Sequence, residues 1–164
     1  MNAAIKQASD NDFVITMDAD NTHDPCLIPD MIGLCKKGAD LVISSRYVTN
    51  GNQIGVPRYR VVLSKGINFL IRLRAKSNIK DYTSGYRCYR ASTIRKLLSI
   101  YGDRFIESDG FEVNLELLAK SVNLSAKIVE LPMVLNYGLK KGRSNLKLVQ
   151  TMLRYVRVLI RLGG

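Results

Sequence analysis

A short apolar segment, residues 13–17, runs directly into the acidic triplet Asp18-Ala19-Asp20. Its length and its β-branched residues predict a buried strand, and the polar residues 21–25 that follow are typical of a loop. Residues i and i+2 of a strand point to the same side, so Asp18 and Asp20 can converge on one hard cation where the strand leaves the sheet. Open α/β sheets bind ligands at this edge. The alternative is a solvated acidic turn, because an isolated Asp-x-Asp is a short and common pattern.

Strand and helix patterns alternate along the chain, which indicates an α/β fold with a mainly parallel sheet. The predicted strands are residues 13–17, 41–45, 84–90 and 126–131. The predicted helices are residues 25–37, 58–76, 92–99, 111–121 and 145–162. Gly38 is expected to end the first of these helices, and Ser92 is expected to cap the third.

The order of elements predicts one domain that is not complete. No repeat or linker divides residues 1–164. Only the end of a helix, residues 3–9, precedes the first predicted strand, whereas nucleotide-binding sheets build their pocket from several βα units. We therefore expect those units to lie upstream of Met1.

Basic residues dominate two long parts of the chain, which carries a net charge of +11. No acidic residue lies between Asp40 and Asp81, and none follows Glu130. Such blocks suggest polyanionic partners: phosphates, nucleic acid or an anionic membrane surface. The three scattered cysteines fit neither a disulfide framework nor a zinc site, and no apolar run is long enough to span a bilayer. We expect an intracellular protein that is at most peripheral to a membrane.

Several arginines are candidates for binding phosphate. Arg46 directly follows a predicted strand, and its planar guanidinium can reach the edge that carries the acidic triplet. Arg58, Arg60 and Ser64 lie at the start of a predicted helix, where free N–H groups favour anions. A solvated surface position is the alternative for each arginine. The acid-free stretch weakens that alternative, because no pairing partner is nearby in sequence.

Other polar residues have less specific patterns. Residues 81–90, which include Ser84 and Arg87, are dense in polar and aromatic side chains; a site or an edge strand with stacked tyrosines would account for them equally. Glu112 and Glu116 share a helix face and could act as an acid/base pair, although a solvated face is favoured by spacing alone. His23, the single histidine, is either a turn residue or a metal ligand.

The carboxyl-terminal part combines a glycine-containing basic loop, residues 140–145, with an amphipathic basic helix. Such a loop can close over phosphates as a lid. The helix can pack on the core or lie on a bilayer with its arginines towards lipid phosphates.

Four segments, taken in order, resemble the family-2 glycosyltransferases, and most of all the polyprenyl- or dolichyl-phosphate mannosyltransferases. They are Asp18-Ala19-Asp20 with His23-Asp24-Pro25, residues 39–47, residues 81–89, and Lys141-Gly142-Arg143-Ser144. The resemblance covers nearly the whole chain. It implies a GT-A-like (nucleotide-diphospho-sugar transferase) α/β sheet with flanking helices that lacks the amino-terminal nucleotide-binding βα units.

The resemblance also implies an inverting, metal-dependent transfer of mannose or glucose from GDP-mannose or UDP-glucose to a polyprenyl or dolichyl phosphate. Asp18 and Asp20 would hold Mg²⁺ or Mn²⁺ on the donor diphosphate, which Arg143 and Ser144 would also bind. The acceptor phosphate would be bound by Arg46, Arg58 and Ser64, and the catalytic residues would be Asp18, Asp20 and Arg46. Arg60, Ser84, Arg87, Glu112 and Glu116 are secondary candidates. Thr22 departs from the family, whose members often have Gln there.

The implied enzyme would act on the cytoplasmic face of a membrane, and this chain alone is expected to be a poor or inactive transferase. It could form a homodimer or need a partner that supplies the remaining half. Two other functions stay open: a non-catalytic regulatory or vestigial partner of a full-length transferase, and a basic module that binds nucleic acid or a membrane surface. Acids at strand ends and the lack of a nucleic-acid-binding motif argue against nucleic acid.

Overall fold

Strand β2 (Leu41–Ser45) is the buried centre of the fold, with every residue shielded from solvent. The structure is a computed structural model that describes residues 8–75, 77–110, 112–139, 151, 153–155 and 157–158. The other strands are β1 (Phe13–Thr16), β3 (Asn52–Ile54), β4 (Arg87–Arg90), β5 (Ile128–Pro132) and β6 (Val134–Asn136). The helices are α1 (Ile28–Lys36), α2 (Arg58–Ala75), α3 (Ala91–Tyr101) and α4 (Glu112–Asn123).

The main sheet is mixed, with the strand order β1-β4-β2-β5. In the described part of this sheet, β4 is antiparallel to both β1 and β2, and β2 and β5 form the parallel pair. The prediction of a mainly parallel sheet is therefore wrong. After α2 the chain returns to the edge where β2 ends, as the hydrogen bond from the Ser44 amide to the Tyr86 carbonyl shows. Strand β4 begins at that edge and must run in the opposite direction.

Helices cover both faces of the sheet, because side chains alternate along its buried strands. On one face Leu41 and Ile43 pack with Ile67 of α2 and with residues of α3 and α4. On the other face Val42 packs with Met31 and Cys35 of α1 and with Cys88 and Tyr86. The α/β class is confirmed, and two apolar layers support the carboxyl edge of β2.

Several element boundaries differ from the sequence-based predictions. Strand β1 ends at Thr16, so strand alternation does not extend to the acidic triplet. The chain enters α1 through a separate 3₁₀ turn, Pro25–Leu27. Helix α3 begins at Ala91, directly after β4, and Ser92 does not cap it. Gly38 does end α1, with φ +103° and its amide bonded to the Cys35 carbonyl.

A second, two-stranded sheet forms from segments in which no strand was predicted. Strand β3, within residues 47–57, pairs in parallel with β6. Gly51 allows the approach to this strand, because a Cβ there would lie 2.6 Å from the Ser45 carbonyl oxygen and 2.8 Å from the carbonyl carbon of Arg46. The loop thereby packs against the backbone at the end of β2.

The predicted last helix is described only in part: residues 151, 153–155 and 157–158 are helical. Residues 3–7 and the basic loop 140–145 lie outside the described residues. Among the described residues, no helix combines the length and the hydropathy that crossing a bilayer requires.

Candidate functional site

The acidic triplet lies in a tight turn just after β1. The Asp18 side chain is 46% exposed. Asp20 is half-buried, and its Oδ1 accepts hydrogen bonds from the Thr22 amide at 3.2 Å and the Thr22 hydroxyl at 2.6 Å. Asn21 adopts φ +65°, a conformation that asparagine tolerates better than most residues. Thr22 thus holds the carboxylate of Asp20 within the turn.

His23 is buried beneath this turn and contacts Asp18 twice. Its Nδ1 accepts a hydrogen bond from the Asp18 amide at 3.1 Å, and its Nε2 lies 4.0 Å from Asp18 Oδ2. The imidazole stacks on the ring of Tyr86, with 5.0 Å between ring centroids. Burial lowers the pKa of His23 and so favours the neutral ring, although Asp18 and Asp20 oppose this shift.

Gly85 lies against the same turn. A Cβ added there would be 3.5 Å from Asp18 Oδ1 and 3.2 Å from the side-chain amide nitrogen of Asn114. The Gly85 carbonyl also accepts a hydrogen bond from the Thr16 hydroxyl at 2.8 Å. The absence of a side chain at Gly85 thus lets the segment before β4 lie next to Asp18.

Arg46, at the end of β2, has a buried acidic partner that the sequence analysis missed. Its Nε and Nη2 donate to the two carboxylate oxygens of Asp81, each at 2.8 Å, and its backbone amide donates to Oδ2 at 3.1 Å. Burial would raise the pKa of Asp81, but the charge and hydrogen bonds of Arg46 outweigh it and hold this pKa below its usual range. No acidic residue lies near Arg46 in sequence, but the fold brings Asp81 to it from 35 residues away.

A polar network joins Arg46 to Ser64 of α2. Arg46 Nη2 donates to the Thr83 hydroxyl at 2.7 Å, and the Ser64 hydroxyl lies 3.3 Å from the same oxygen. The Tyr47 hydroxyl donates to Ser64 Oγ at 2.9 Å, while Asn68 Nδ2 donates to Thr83 Oγ1 at 3.1 Å. Two of the three predicted acceptor-phosphate residues therefore lie in one hydrogen-bonded group.

The two arginines at the start of α2 occupy different faces of the helix. Arg60 is four residues before Ser64, so the two share a face. Its Nη1 donates to the Tyr137 hydroxyl at 2.6 Å. Arg58 is exposed and lies six residues before Ser64, which places it on another side of the helix. The geometry favours Arg60 over Arg58 as the neighbour of Ser64.

Ser84 and Arg87 hold the backbone together. Arg87 is fully buried, and its guanidinium donates to the carbonyls of Ser84, Tyr82 and Asn114. Ser84 is buried, and its amide donates to Asp81 Oδ1 at 3.0 Å. Both were secondary candidates for the site, but their role is structural, because neither side chain faces solvent. Residues 81–90 also do not form an edge strand, because β4 lies between β1 and β2.

Glu112 and Glu116 are both buried, so the expected solvated face is wrong. Glu116 Oε1 accepts from Lys120 Nζ at 2.6 Å, and its carboxylate also accepts from the Glu107 and Ser108 amides. Burial would raise the pKa of Glu116, but these hydrogen bonds hold it below its usual range. Glu112 lies 3.3 Å from Arg154. Glu116 is a structural anchor for the preceding loop, which argues against an acid/base pair.

The donor set fits a hard divalent cation that is shared with a ligand. Asp18 and Asp20 supply carboxylate oxygens, which Mg²⁺ and Mn²⁺ prefer. Among the residues that the structure describes, no group of three or more His, Cys, Asp or Glu side chains could bind a metal by itself. Phosphate oxygens and water would have to complete such a shell, as is usual for Mg²⁺. Arg143 and Ser144, predicted to bind the donor, lie outside the described residues.

Comparison with known proteins gives consistent matches. The family model described as glycosyl transferase family 2 matches residues 1–98. Over 160 residues the chain is 34% identical to a protein named dolichol-phosphate mannosyltransferase of Pyrococcus furiosus, covering 96% of this chain and 42% of that one. It is 36% identical over 121 residues to a protein named undecaprenyl-phosphate mannosyltransferase of Micrococcus luteus, covering 74% of this chain and 48% of the relative. The chain thus spans less than half the length of these relatives.

Solved structures share the fold at low identity. Glucosyl-3-phosphoglycerate synthase from Mycobacterium tuberculosis, crystallised with Mn²⁺, UDP-glucose and glycerol 3-phosphate, aligns with a TM-score of 0.67 and 16% identity. The alignment covers 98% of this chain and 52% of the synthase. At this identity the likeness shows the fold, which is that of the GT-A glycosyltransferases.

Proposed function

The chain belongs to glycosyl transferase family 2, and we propose that it is the part of a polyprenyl- or dolichyl-phosphate hexosyltransferase that holds the metal-diphosphate and acceptor-phosphate sites. One juxtaposition carries the proposal. The Asp18–Asp20 turn and the Arg46–Ser64 network flank the same segment, residues 81–86: a Cβ on Gly85 would lie 3.5 Å from Asp18 Oδ1, and Thr83 contacts both Arg46 and Ser64. This arrangement supports a donor-diphosphate site that adjoins a site for a second phosphate.

For the donor we propose GDP-mannose or UDP-glucose. Asp18 and Asp20 would hold Mg²⁺ or Mn²⁺, which would neutralise the diphosphate as it leaves. Two hydrogen bonds within the turn support this role. Thr22 donates to the Asp20 carboxylate, and His23 accepts from the Asp18 backbone amide. Arg143 and Ser144 would supply further diphosphate contacts.

For the acceptor we propose the phosphate of a polyprenyl or dolichyl lipid. Its oxygen would attack C1 of the sugar as the bond from C1 to the nucleoside diphosphate breaks, which inverts the anomeric carbon. Such a phosphate is already anionic, so no strong general base is needed. The buried, ion-paired state of Glu116 is consistent with this chemistry. Arg46, Ser64 and Arg60 would orient the phosphate, and Arg58 would contribute less.

We also propose that the exposed side of α2 lies on an anionic membrane surface. Five large apolar side chains occupy an arc of about 100° on this helix. They are Tyr59, Val62, Phe69, Leu70 and Leu73, each more than half exposed. Arg58, Lys65 and Arg72 lie along one flank, Arg74 lies on the other, and the helix has no acidic residue. Apolar side chains bordered by cations suit the headgroup region of an anionic bilayer.

The test is a transfer assay with GDP-mannose or UDP-glucose and polyprenyl phosphate in vesicles. It compares the chain alone with a mixture of the chain and the segments of its relatives that lie outside the match. Asp20→Asn should lower the transfer rate by about 10²-fold, as expected for loss of a main electrostatic stabiliser. Activity that survives this change with unaltered metal dependence would contradict the proposal. A chain that neither binds the nucleotide sugar nor supports transfer under any condition would favour a non-catalytic partner.

A further inference from the structure

The turn after β1 folds back so that its single histidine lies directly under the first aspartate. His23 is 6% exposed, whereas the Asp18 side chain above it is 46% exposed. A backbone amide can only donate, so the Asp18 N–H to Nδ1 hydrogen bond requires a lone pair on Nδ1. In a neutral imidazole the proton is then on Nε2, which lies 4.0 Å from Asp18 Oδ2.

The imidazole is itself held by the core. Its ring stacks on Tyr86, which is fully buried and packs with Met31 and Cys88. The Tyr86 hydroxyl donates to the Asp24 carbonyl at 2.9 Å and so fastens the far end of the same turn. A rigid path therefore runs from the apolar core through Tyr86 and His23 to the backbone of Asp18.

We propose that His23 is a positioning residue that fixes Asp18 for the metal-diphosphate site and does not bind the metal. The inference rests on the proposed function of Asp18. Nδ1 is occupied by the Asp18 amide, and the protonated Nε2 has no lone pair to offer a cation. Within the part of the chain that the structure describes, no hydrogen bond restrains the half-exposed Asp18 carboxylate, so its position depends on the backbone that His23 holds. Replacing a neighbouring group that orients a metal ligand commonly lowers the metal affinity by about 10- to 100-fold.

Three substitutions separate positioning from simple packing. His23→Phe keeps an aromatic ring against Tyr86 but removes the acceptor for the Asp18 amide. His23→Asn places an amide oxygen near the position of Nδ1 and can restore that hydrogen bond. His23→Gln carries its amide one carbon further, near the position of Nε2.

The experiment measures Mn²⁺ binding in the presence of GDP by electron paramagnetic resonance, with thermal unfolding of each variant in parallel. His23→Phe should weaken Mn²⁺ binding about tenfold with a melting temperature near that of the wild type, and His23→Asn should restore most of the affinity. His23→Gln should not. If His23→Phe binds Mn²⁺ as tightly as the wild type, or if His23→Gln binds it as tightly as His23→Asn, the positioning role is overturned. Either result leaves the proposed function untouched. Failure of the wild type to bind Mn²⁺ with GDP contradicts the proposed function itself.

A second measurement needs neither metal nor folded variants. Because the chain has a single histidine, long-range ¹H–¹⁵N correlation of the imidazole gives one set of signals. At pH 7 these should show an unprotonated Nδ1 and a protonated Nε2. Protonation on Nδ1 would overturn the inference, whatever the binding experiments show.

Discussion

Arg46 and Asp81 face each other in a two-point contact, with Nε–Oδ2 and Nη2–Oδ1 distances of 2.8 Å. The Asp81 side chain is fully buried, and that of Arg46 is 13% exposed. Because Arg46 directly follows β2 and Asp81 precedes β4, the pair fastens the loop before β4 to the carboxyl edge of the sheet. It also sets the direction in which Arg46 presents its remaining nitrogen, Nη1.

Loss of Asp81 should destabilise the fold. Asp81→Asn would leave the Arg46 charge mostly buried without a counter-ion, which costs about 3 kcal/mol in the free energy of unfolding. Urea unfolding of wild type and variant measures this difference. Asp103→Asn, an exposed carboxylate in a 3₁₀ turn, is the control and should change the free energy by less than about 0.5 kcal/mol. Equal effects of the two substitutions would rule out a special role for the Arg46–Asp81 pair.

The same pair predicts a pH dependence of stability. Arg46 holds the pKa of Asp81 below its usual range, despite burial, so the folded state favours the ionised carboxylate. The resulting stability is fully present above the unfolded-state pKa of about 4 and is lost as pH falls through the lower folded-state pKa. The difference in unfolding free energy between wild type and Asp81→Asn should therefore shrink as the pH is lowered from about 6 towards 3. It is measured at intervals of about one pH unit. A gap that stays constant over that range would contradict the assignment.

Arg60 and Arg58 provide a matched pair for the acceptor site. Each substitution to Ala removes one positive charge from the first turn of α2, but only Arg60 shares a face with Ser64. Arg60→Ala should weaken binding to neutral vesicles that contain polyprenyl phosphate at least about threefold more than Arg58→Ala does. Flotation with and without the lipid phosphate measures this. A larger effect of Arg58→Ala would return the acceptor role to that residue.

The apolar side of α2 should control membrane binding. Phe69→Ser with Leu73→Ser should reduce flotation with phosphatidylglycerol vesicles about tenfold or more, because two large exposed apolar side chains no longer enter the bilayer. Ile100→Ser, which removes a 56%-exposed side chain of α3, is the control and should float like the wild type. Comparable losses in both would show that the α2 surface is not the membrane-binding side.

The sequence predicts the local elements well where pattern and length agree. Strand β2 matches residues 41–45, and Gly38 ends α1 as its position indicates. The direction of β4 was missed, because alternation of strands and helices does not specify where a connecting loop re-enters the sheet. The predicted cap of α3 was missed for a related reason. Because β4 leads directly into α3, Ser92 lies inside the first turn of the helix and does not cap it.

The sequence indicates which residues contribute to the candidate site, but not which side chains pair with one another. The acid-free stretch made Arg46 look unpaired, yet Asp81, which ends that stretch, folds back onto it. Helical spacing showed that Glu112 and Glu116 share a face, but it could not show that this face is buried. The role of His23 depends on one backbone hydrogen bond, for which a single sequence has no signal beyond the nearness of His23 to the acidic triplet.

The central claim is that Asp18 and Asp20 bind a divalent metal jointly with a nucleoside diphosphate. Calorimetric titration of the chain with GDP, in the presence and absence of Mn²⁺, tests it most directly. The account predicts metal-dependent binding that Asp20→Asn weakens about tenfold or more, while Asp30→Asn, an exposed carboxylate in the first turn of α1, binds like the wild type. Binding that is independent of Mn²⁺, or equal in Asp20→Asn and Asp30→Asn, would contradict the account.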